Sequence, residues 1–310
     1  MTRSAVFPCV APLGGRQTVS FTETTHSVPP RRSARARSGP LPEKFLIVLM
    51  VGLLGAAGTE PASADLIAYD QFVGYDAGQL VGQGKGSGWG DVWENRTEYG
   101  VSDSDGLTHS SLSGVTAGGS ASTGTAGGGV WRDLATPPAS PGTYYFGFLM
   151  KASGNAHNAV VGLVENDDGT GNILYSGSWN SQATWRMAER DGADYSDRDT
   201  HIAETGNTTL FVVKLYLRAT SPDSAALYVN PADAAALSAA PNAEYSYVRD
   251  FSQVSMVRAA VVNQGASNGS FIFDEIRIGT EAADMFSTVP EPMSLALLAL
   301  GGLVTVLRRR

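Results

Sequence analysis

From Asp65 onward the chain alternates short apolar runs with clusters of Gly, Asn, Asp and Pro, and helix-period patterning is nearly absent. Runs of this kind, bounded by turn-forming residues, predict strands joined by turns. The clearest cover residues 143–150 (TYYFGFLM), 159–165, 210–218 (LFVVKLYLR), 225–230, 254–263 and 270–278. In LFVVKLYLR, Phe211, Val213, Leu215 and Leu217 alternate with Lys214, Tyr216 and Arg218. Successive side chains of a strand point to opposite faces, so this strand buries one face and turns the other outward. Sheets of this type packed face to face predict an all-β fold, an antiparallel β-sandwich. Residues 233–240 alone look helical, and 113–129, rich in Gly, Ser, Thr and Ala, are expected to be a flexible loop.

Two apolar runs at the ends break this pattern. Residues 45–58 (FLIVLMVGLLGAAG) follow Lys44 and, further upstream, Arg31, Arg32, Arg35 and Arg37. Ala62-Ser63-Ala64 then supplies small residues in cleavage-site spacing. A basic start, a short apolar core and an A-x-A site predict a secretory signal peptide cut after Ala64, with Ala62 the other small residue of the site. Residues 1–40 are long and rich in Arg and Pro for such a leader, so the true start is expected downstream of them. Arg31-Arg32 is followed by Ser-Ala-Arg-Ala, which departs from a twin-arginine signal.

At the other end, residues 293–307 are fifteen without a charge, preceded by Pro290-Glu291-Pro292 and followed by Arg308, Arg309 and Arg310. As a helix they would rise about 22 Å, short of a hydrocarbon core of about 30 Å. Arginine stems snorkel to headgroups and cover part of that deficit. Prolines cannot continue a helix backwards, so a single transmembrane helix is expected to begin near Met293. Basic flanks stay cytoplasmic, which places the preceding domain outside. The tripeptide, the short apolar helix and the terminal arginines resemble the PEP-CTERM sorting signal. That resemblance implies recognition by an exosortase, a membrane-embedded cysteine transpeptidase, in bacteria that make exopolysaccharide. A plain membrane anchor is the alternative. The chain thus divides into a leader, 1–64, a sandwich domain, 65–282, and a sorting segment, 283–310.

Composition narrows the middle. The single cysteine, Cys9, lies in the leader, leaving no disulfide, thiol nucleophile or cysteine metal site downstream. Residues 65–289 carry 12 Lys plus Arg against 26 Asp plus Glu, a net charge of −14. Nucleic acid and anionic membrane surfaces need basic patches, so neither is expected as a partner of the domain. An acidic surface suits a soluble extracellular domain, and suits Ca²⁺, a hard cation that takes oxygen ligands.

Several segments resemble exported bacterial domains with the concanavalin A-like, or laminin-G-like, jelly-roll fold. They are Tyr69-Asp70-Gln71-Phe72, Gly86-Ser87-Gly88-Trp89, Trp131-Arg132-Asp133-Leu134, Leu227-Tyr228-Val229-Asn230-Pro231 and Asp274-Glu275-Ile276-Arg277-Ile278-Gly279. The resemblance implies a jelly roll and leaves the ligand open, because one fold hosts many functions.

A glycanase on such a fold sets carboxylates as Glu-x-Asp-x-x-Glu, two of them about 5–5.5 Å apart in a retaining enzyme. Glu165-Asn166-Asp167 begins that pattern, but Thr170 stands at its end and Asp168-Gly169 reads as a hairpin turn. Asp274 and Glu275 are adjacent, so a regular strand would send them to opposite faces. The histidines His109, His157 and His201 have no metal-site spacing. Asp103, Asp105, Asp167 and Asp168 sit in oxygen-rich loops and are the candidate Ca²⁺ ligands, as is the acidic stretch 191–199, read as another loop. None completes an EF-hand, ordinary turns favour the same residues, and no cofactor is required. Tryptophan in a sandwich is more often core than ligand platform. Trp179 and Trp185 flank the turn at 180–184 and are expected to be exposed. With Asp191 and Asp194 they are the candidate glycan-binding residues. The expected function is a non-catalytic, exported surface or matrix protein, adhesive or glycan-binding. The alternative is a glycoside hydrolase on the same fold.

Overall fold

The structure is a computed structural model that describes residues 66–95, 99–102, 105–112, 119–123, 128–139, 141–153, 159–166, 171–178, 183–191, 194–220, 222–261 and 270–287. The leader with Ala62 and Ala64, and the tail with Pro290, Glu291, Pro292, Arg308, Arg309 and Arg310, lie outside the described residues. Among the described residues, no helix is long and apolar enough to cross a membrane.

The described strands are, in chain order, β1 (Leu66–Asp70), β2 (Gly78–Gln79), β3 (Glu94–Asn95), β4 (Tyr99–Ser102), β5 (Ser120–Thr123), β6 (Gly128–Asp133), β7 (Gly142–Ser153) and β8 (Ala159–Val164). They continue with β9 (Ile173–Ser178), β10 (Thr184–Asp191), β11 (Asp194–Ala203), β12 (Thr209–Leu217), β13 (Asp223–Val229), β14 (Ala243–Arg249), β15 (Met256–Val261) and β16 (Ser270–Gly279). One sheet runs β14-β13-β12-β7-β16-β5-β4-β2, with β1 also on β16. The other runs β11-β10-β9-β8-β15-β6-β3. Every named pairing is antiparallel.

Alternation along the strands builds the core between the sheets. Phe146, Phe148 and Met150 of β7 and Phe211, Val213, Leu215 and Leu217 of β12 meet Val161, Leu163, Trp185, Met187, Val257 and Ala259 of the second sheet in one buried cluster. Phe148 stacks on Phe211 at 5.0 Å, and Trp185 meets Phe211 edge-on at 5.1 Å. Trp185 is 1% exposed, which corrects the expectation that it faces solvent. Residues 185, 187 and 189 of β10 share its inward face, so proximity to a turn did not decide where the ring went.

The outer face of the first sheet is partly covered as well. Leu149, Leu210 and Val212 pack with Leu107, Leu112, Leu237 and Met285 in a second cluster. Leu237 comes from a 3-10 helix, Ala234–Ser238, capped by Asp233, where the sequence suggested a helix at 233–240. Two other expectations change. The acidic stretch read as a loop is a hairpin, with Asp191 opposite Asp194 and register continuing to Asp199 opposite Arg186. Within the low-complexity segment, Ser120–Thr123 is a strand and Gly128 opens another; small residues pair as well as large ones when both neighbours supply backbone partners.

Candidate functional site

Three polar centres stand out, and they differ in their access to solvent. The first ties the two sheets together. Asp70 ends β1 and accepts hydrogen bonds from Tyr75 Oη at 2.6 Å, Arg132 Nη1 at 2.8 Å, Phe72 N at 2.9 Å and Trp93 Nε1 at 3.2 Å. Arg132 belongs to β6 of the opposite sheet, so the ion pair spans the sandwich, with exposures of 4% and 1%. The same guanidinium donates to the carbonyls of Lys85 and Asp91 and lies over the Trp89 ring at 4.9 Å. Burial holds the Asp70 carboxyl above its usual range, with its Tyr75, Phe72, Arg132 and Trp93 donors opposing in part. The loop between β1 and β3 is thereby pinned. Gly88, at φ +80°, lets that loop press on β1, because a Cβ there would collide with the Ile67 carbonyl oxygen.

The second centre is a bulge in β16. Register with β7 slips between Asp274 and Arg277, and Glu275 has φ +53°, unusual for a residue with a side chain. Here the outer neighbour of β16 changes from β5, opposite Ile272 and Phe273, to β1, opposite Ile276 to Gly279. Core-facing Phe273 and Ile276 are three positions apart instead of two. The extra residue overturns the expectation that Asp274 and Glu275 point to opposite faces, since both find partners away from the core. Asp274 accepts from the Leu107 and Glu275 amides, while Glu275 accepts from Arg277 Nη2 at 2.9 Å and Tyr69 Oη at 3.4 Å. Their exposures are 0% and 1%, so no sugar reaches this carboxylate pair. Burial, and then the charge of Glu275, push the Asp274 carboxyl well above the usual range. Glu275 is also raised by burial, with Arg277 opposing.

The third centre is half-buried, with Lys214 and Tyr216 partly reached by solvent. On the outer face of the first sheet, register places Lys214 of β12 beside Tyr145 of β7 and Ala226 of β13. Tyr216 follows two positions along β12, and Tyr228 stands on β13 opposite Val212. The Lys214 Nζ lies 5.0 Å from the Tyr216 ring centre and 5.7 Å from that of Tyr145. A hydrogen bond to Tyr216, followed by the electrostatic influence of Tyr145, Tyr216 and Tyr228, holds the Lys214 ammonium above the usual lysine range. Burial raises the Tyr228 hydroxyl while Lys214 lowers it. Lys214 and Tyr216 are half-buried, Tyr145 and Tyr228 are 8% and 7% exposed, and Glu244 of β14 is exposed at the rim. Lys214 and Tyr216 are thus the groups that solvent reaches, with Tyr145 and Tyr228 buried beside them.

None of the described residues chosen from sequence belongs to this patch. Asp191 and Asp194 close the β10–β11 hairpin in the second sheet, and Trp185 is core. Trp179, Asp103, Asp167 and Asp168 lie outside the described residues, and Asp105 is exposed, its carbonyl accepting from Ser120 Oγ. Among the described residues, no group of three or more His, Cys, Asp or Glu is placed to hold a metal ion. Glu165 is tied into its turn by the Asn172 amide, and His201 is an exposed residue beside Asp199. Alternation already placed Lys214 and Tyr216 on the outward face. That Tyr145 and Tyr228 join them depends on strand register, which the sequence does not display.

The described residues thus define an antiparallel β-sandwich with almost no helix, carrying a tyrosine–lysine patch on one outer face. No family model matches the sequence. No curated protein matches it. Among solved structures, it is similar to an endo-β-1,4-glucuronan lyase from the fungus Trichoderma reesei, with TM-score 0.46 and 12% identity over 70% of this chain and 96% of that chain. It is also similar to the botulinum neurotoxin serotype D binding domain, with TM-score 0.44 and 14% identity over 71% of this chain and 50% of that one. The serotype D ligand-binding domain in complex with N-acetylneuraminic acid gives 0.40 and 12%, over 70% and 48%. The chain spans about half the length of these neurotoxin domains. Such distant similarity transfers neither a residue role nor a ligand.

Proposed function

We propose that the sandwich is a concanavalin A-like jelly roll and serves as the non-catalytic, carbohydrate-binding domain of an exported surface or matrix protein. The observation that carries this reading is the outer-face patch in which Lys214 and Tyr216 are partly exposed beside the buried Tyr145 and Tyr228. Sugars are held by a few oriented polar groups set in aromatic and apolar surface, and this patch offers both. The test is to screen the protein against immobilised neutral and acidic polysaccharides, with and without chelator, while assaying for new reducing ends. Retention without new reducing ends is the expected result. Release of sugar would make the protein an enzyme, and retention on no glycan would leave an adhesive spacer. Loss of retention with chelator would bring in Ca²⁺ and the acidic loops.

The reading extends to sorting, which rests on the tail sequence alone. Export by the leader, transient anchoring in the inner membrane by 293–307 and handling by an exosortase would deliver the domain to the surface or matrix. Changing Pro290-Glu291-Pro292 to alanines is expected to leave the protein exported but retained, with its C-terminus unprocessed. Mass spectrometry of the cell-associated and released fractions decides it: unchanged release and unchanged mass in an exosortase-bearing host would sink the idea.

A further inference from the structure

We infer that the sugar held on this face is acidic, a carboxylate-bearing polysaccharide whose carboxylate pairs with the ammonium of Lys214. The inference rests on the carbohydrate-binding reading above and narrows it to a substrate class.

The charge balance of the patch carries the argument. Among the described residues, no carboxylate lies within ion-pairing distance of Lys214, whose neighbours are tyrosines. The buried arginines have been matched differently: Arg132 is paired with Asp70 and Arg277 with Glu275. The Tyr216 hydrogen bond outweighs what burial costs the ammonium, and an anionic partner adds a charge-assisted contact that a neutral one does not. The surrounding surface agrees with a small, localised contact. The row through Lys214 runs Glu244, Ala226, Lys214, Tyr145 and Gly279 across β14, β13, β12, β7 and β16. The buried Asp284 side chain covers Gly279, so the strip ends at Tyr145, and four strands spaced about 4.8 Å apart make it roughly 14 Å wide with Ala226 beside the lysine. With Glu244 at one end of this row and Asp284 over Gly279 at the other, Lys214 is the one cation among these described residues, and an acidic group is directed to it.

The net charge of −14 works against long-range attraction of a polyanion. At physiological salt, charges more than about 8 Å away are largely screened, so the local contact decides binding. The prediction is therefore selective capture through one lysine, distinct from the general attraction of a basic surface.

The test compares the full chain and its Lys214→Met and Lys214→Arg variants on polyglucuronate, on a neutral β-glucan and on dextran sulfate, by affinity electrophoresis at two salt concentrations. The expected result is retention by polyglucuronate that falls about tenfold in Lys214→Met, as for loss of one charge-assisted contact. Lys214→Arg should restore it, higher salt should weaken it, and thermal unfolding should show both variants folded. If the neutral glucan is retained equally and Lys214→Met changes nothing, carbohydrate binding stands and the acidic class falls. Stronger retention on dextran sulfate than on polyglucuronate overturns the carboxylate assignment. Retention on none of the three overturns both readings.

Discussion

Arg132→Met is expected to lower the stability of the sandwich by about 3–5 kcal/mol, the range for removing one partner of a buried ion pair. For a domain of this size that corresponds to a fall in Tm of roughly 10 °C. The variant would leave the Asp70 carboxylate 1% exposed without its guanidinium. It would also release the Lys85 and Asp91 carbonyls and the stacking on Trp89. Methionine fills much of the same space, so the loss is mainly electrostatic. Adding Asp70→Asn should return part of the stability, because the uncompensated charge is gone while an acceptor remains for Tyr75 or Phe72. Denaturant titration of the single and double variants measures both. A loss below about 1 kcal/mol in Arg132→Met would show that water reaches Asp70 and that the two sheets do not depend on this bridge.

The protein is also expected to grow less stable as pH rises above the ordinary carboxylate range, because burial and then Glu275 raise the Asp274 carboxyl in the folded state. A carboxyl whose folded pKa exceeds its unfolded value holds its proton longer in the native state. Between those two values the native state binds more protons than the unfolded one, so unfolding becomes easier as pH rises. Each proton of difference contributes about 1.4 kcal/mol per pH unit. Asp274 carries this more than Asp70 or Glu275, which have Arg132 and Arg277 beside them, whereas its own neighbours are two amides and further carboxylates. Asp199 and Asp250 shift the other way: the His201 amide lowers the first, and the Ser252 hydroxyl and amide lower the second. Both are close to the surface, where solvent screening discounts the effect. Melting curves taken upward from pH 5 should therefore show Tm falling with pH until the Asp274 carboxyl has ionised in the folded state, and Asp274→Asn should flatten that slope. A Tm that rises across the range would mean that Asp274 is ionised in the folded protein at little cost.

Much of the sandwich was legible because period-2 alternation is a local property. Residues 210–218 announced a strand with Phe211, Val213, Leu215 and Leu217 inward, and β12 has that orientation. The hairpin at β10–β11 was not legible, because its outer strand, DYSDRDTHIA, carries few apolar side chains and its aspartates look like turn residues. Its place is set by backbone pairing to β10 and by Arg186, which holds Asp197 at 2.6 Å and Asp199 at 3.0 Å. Trp185 misled for a related reason. Nearness to a turn says nothing about which face of the next strand a ring occupies.

By itself, the sequence determined the all-β class, the principal strands and the outward direction of Lys214 and Tyr216, since these depend on residues two apart in one chain segment. Tertiary structure alone decided what those residues meet. Register brought Tyr145 from β7 and Tyr228 from β13 around Lys214, though they lie 69 and 14 positions away along the chain. The change of neighbour along β16 required the bulge that sends Asp274 and Glu275 to one side. Closing the two sheets joined Asp70 to Arg132. Such partnerships arise from pairing between distant strands, where hydrogen bonds and burial act across space and leave no period in the sequence.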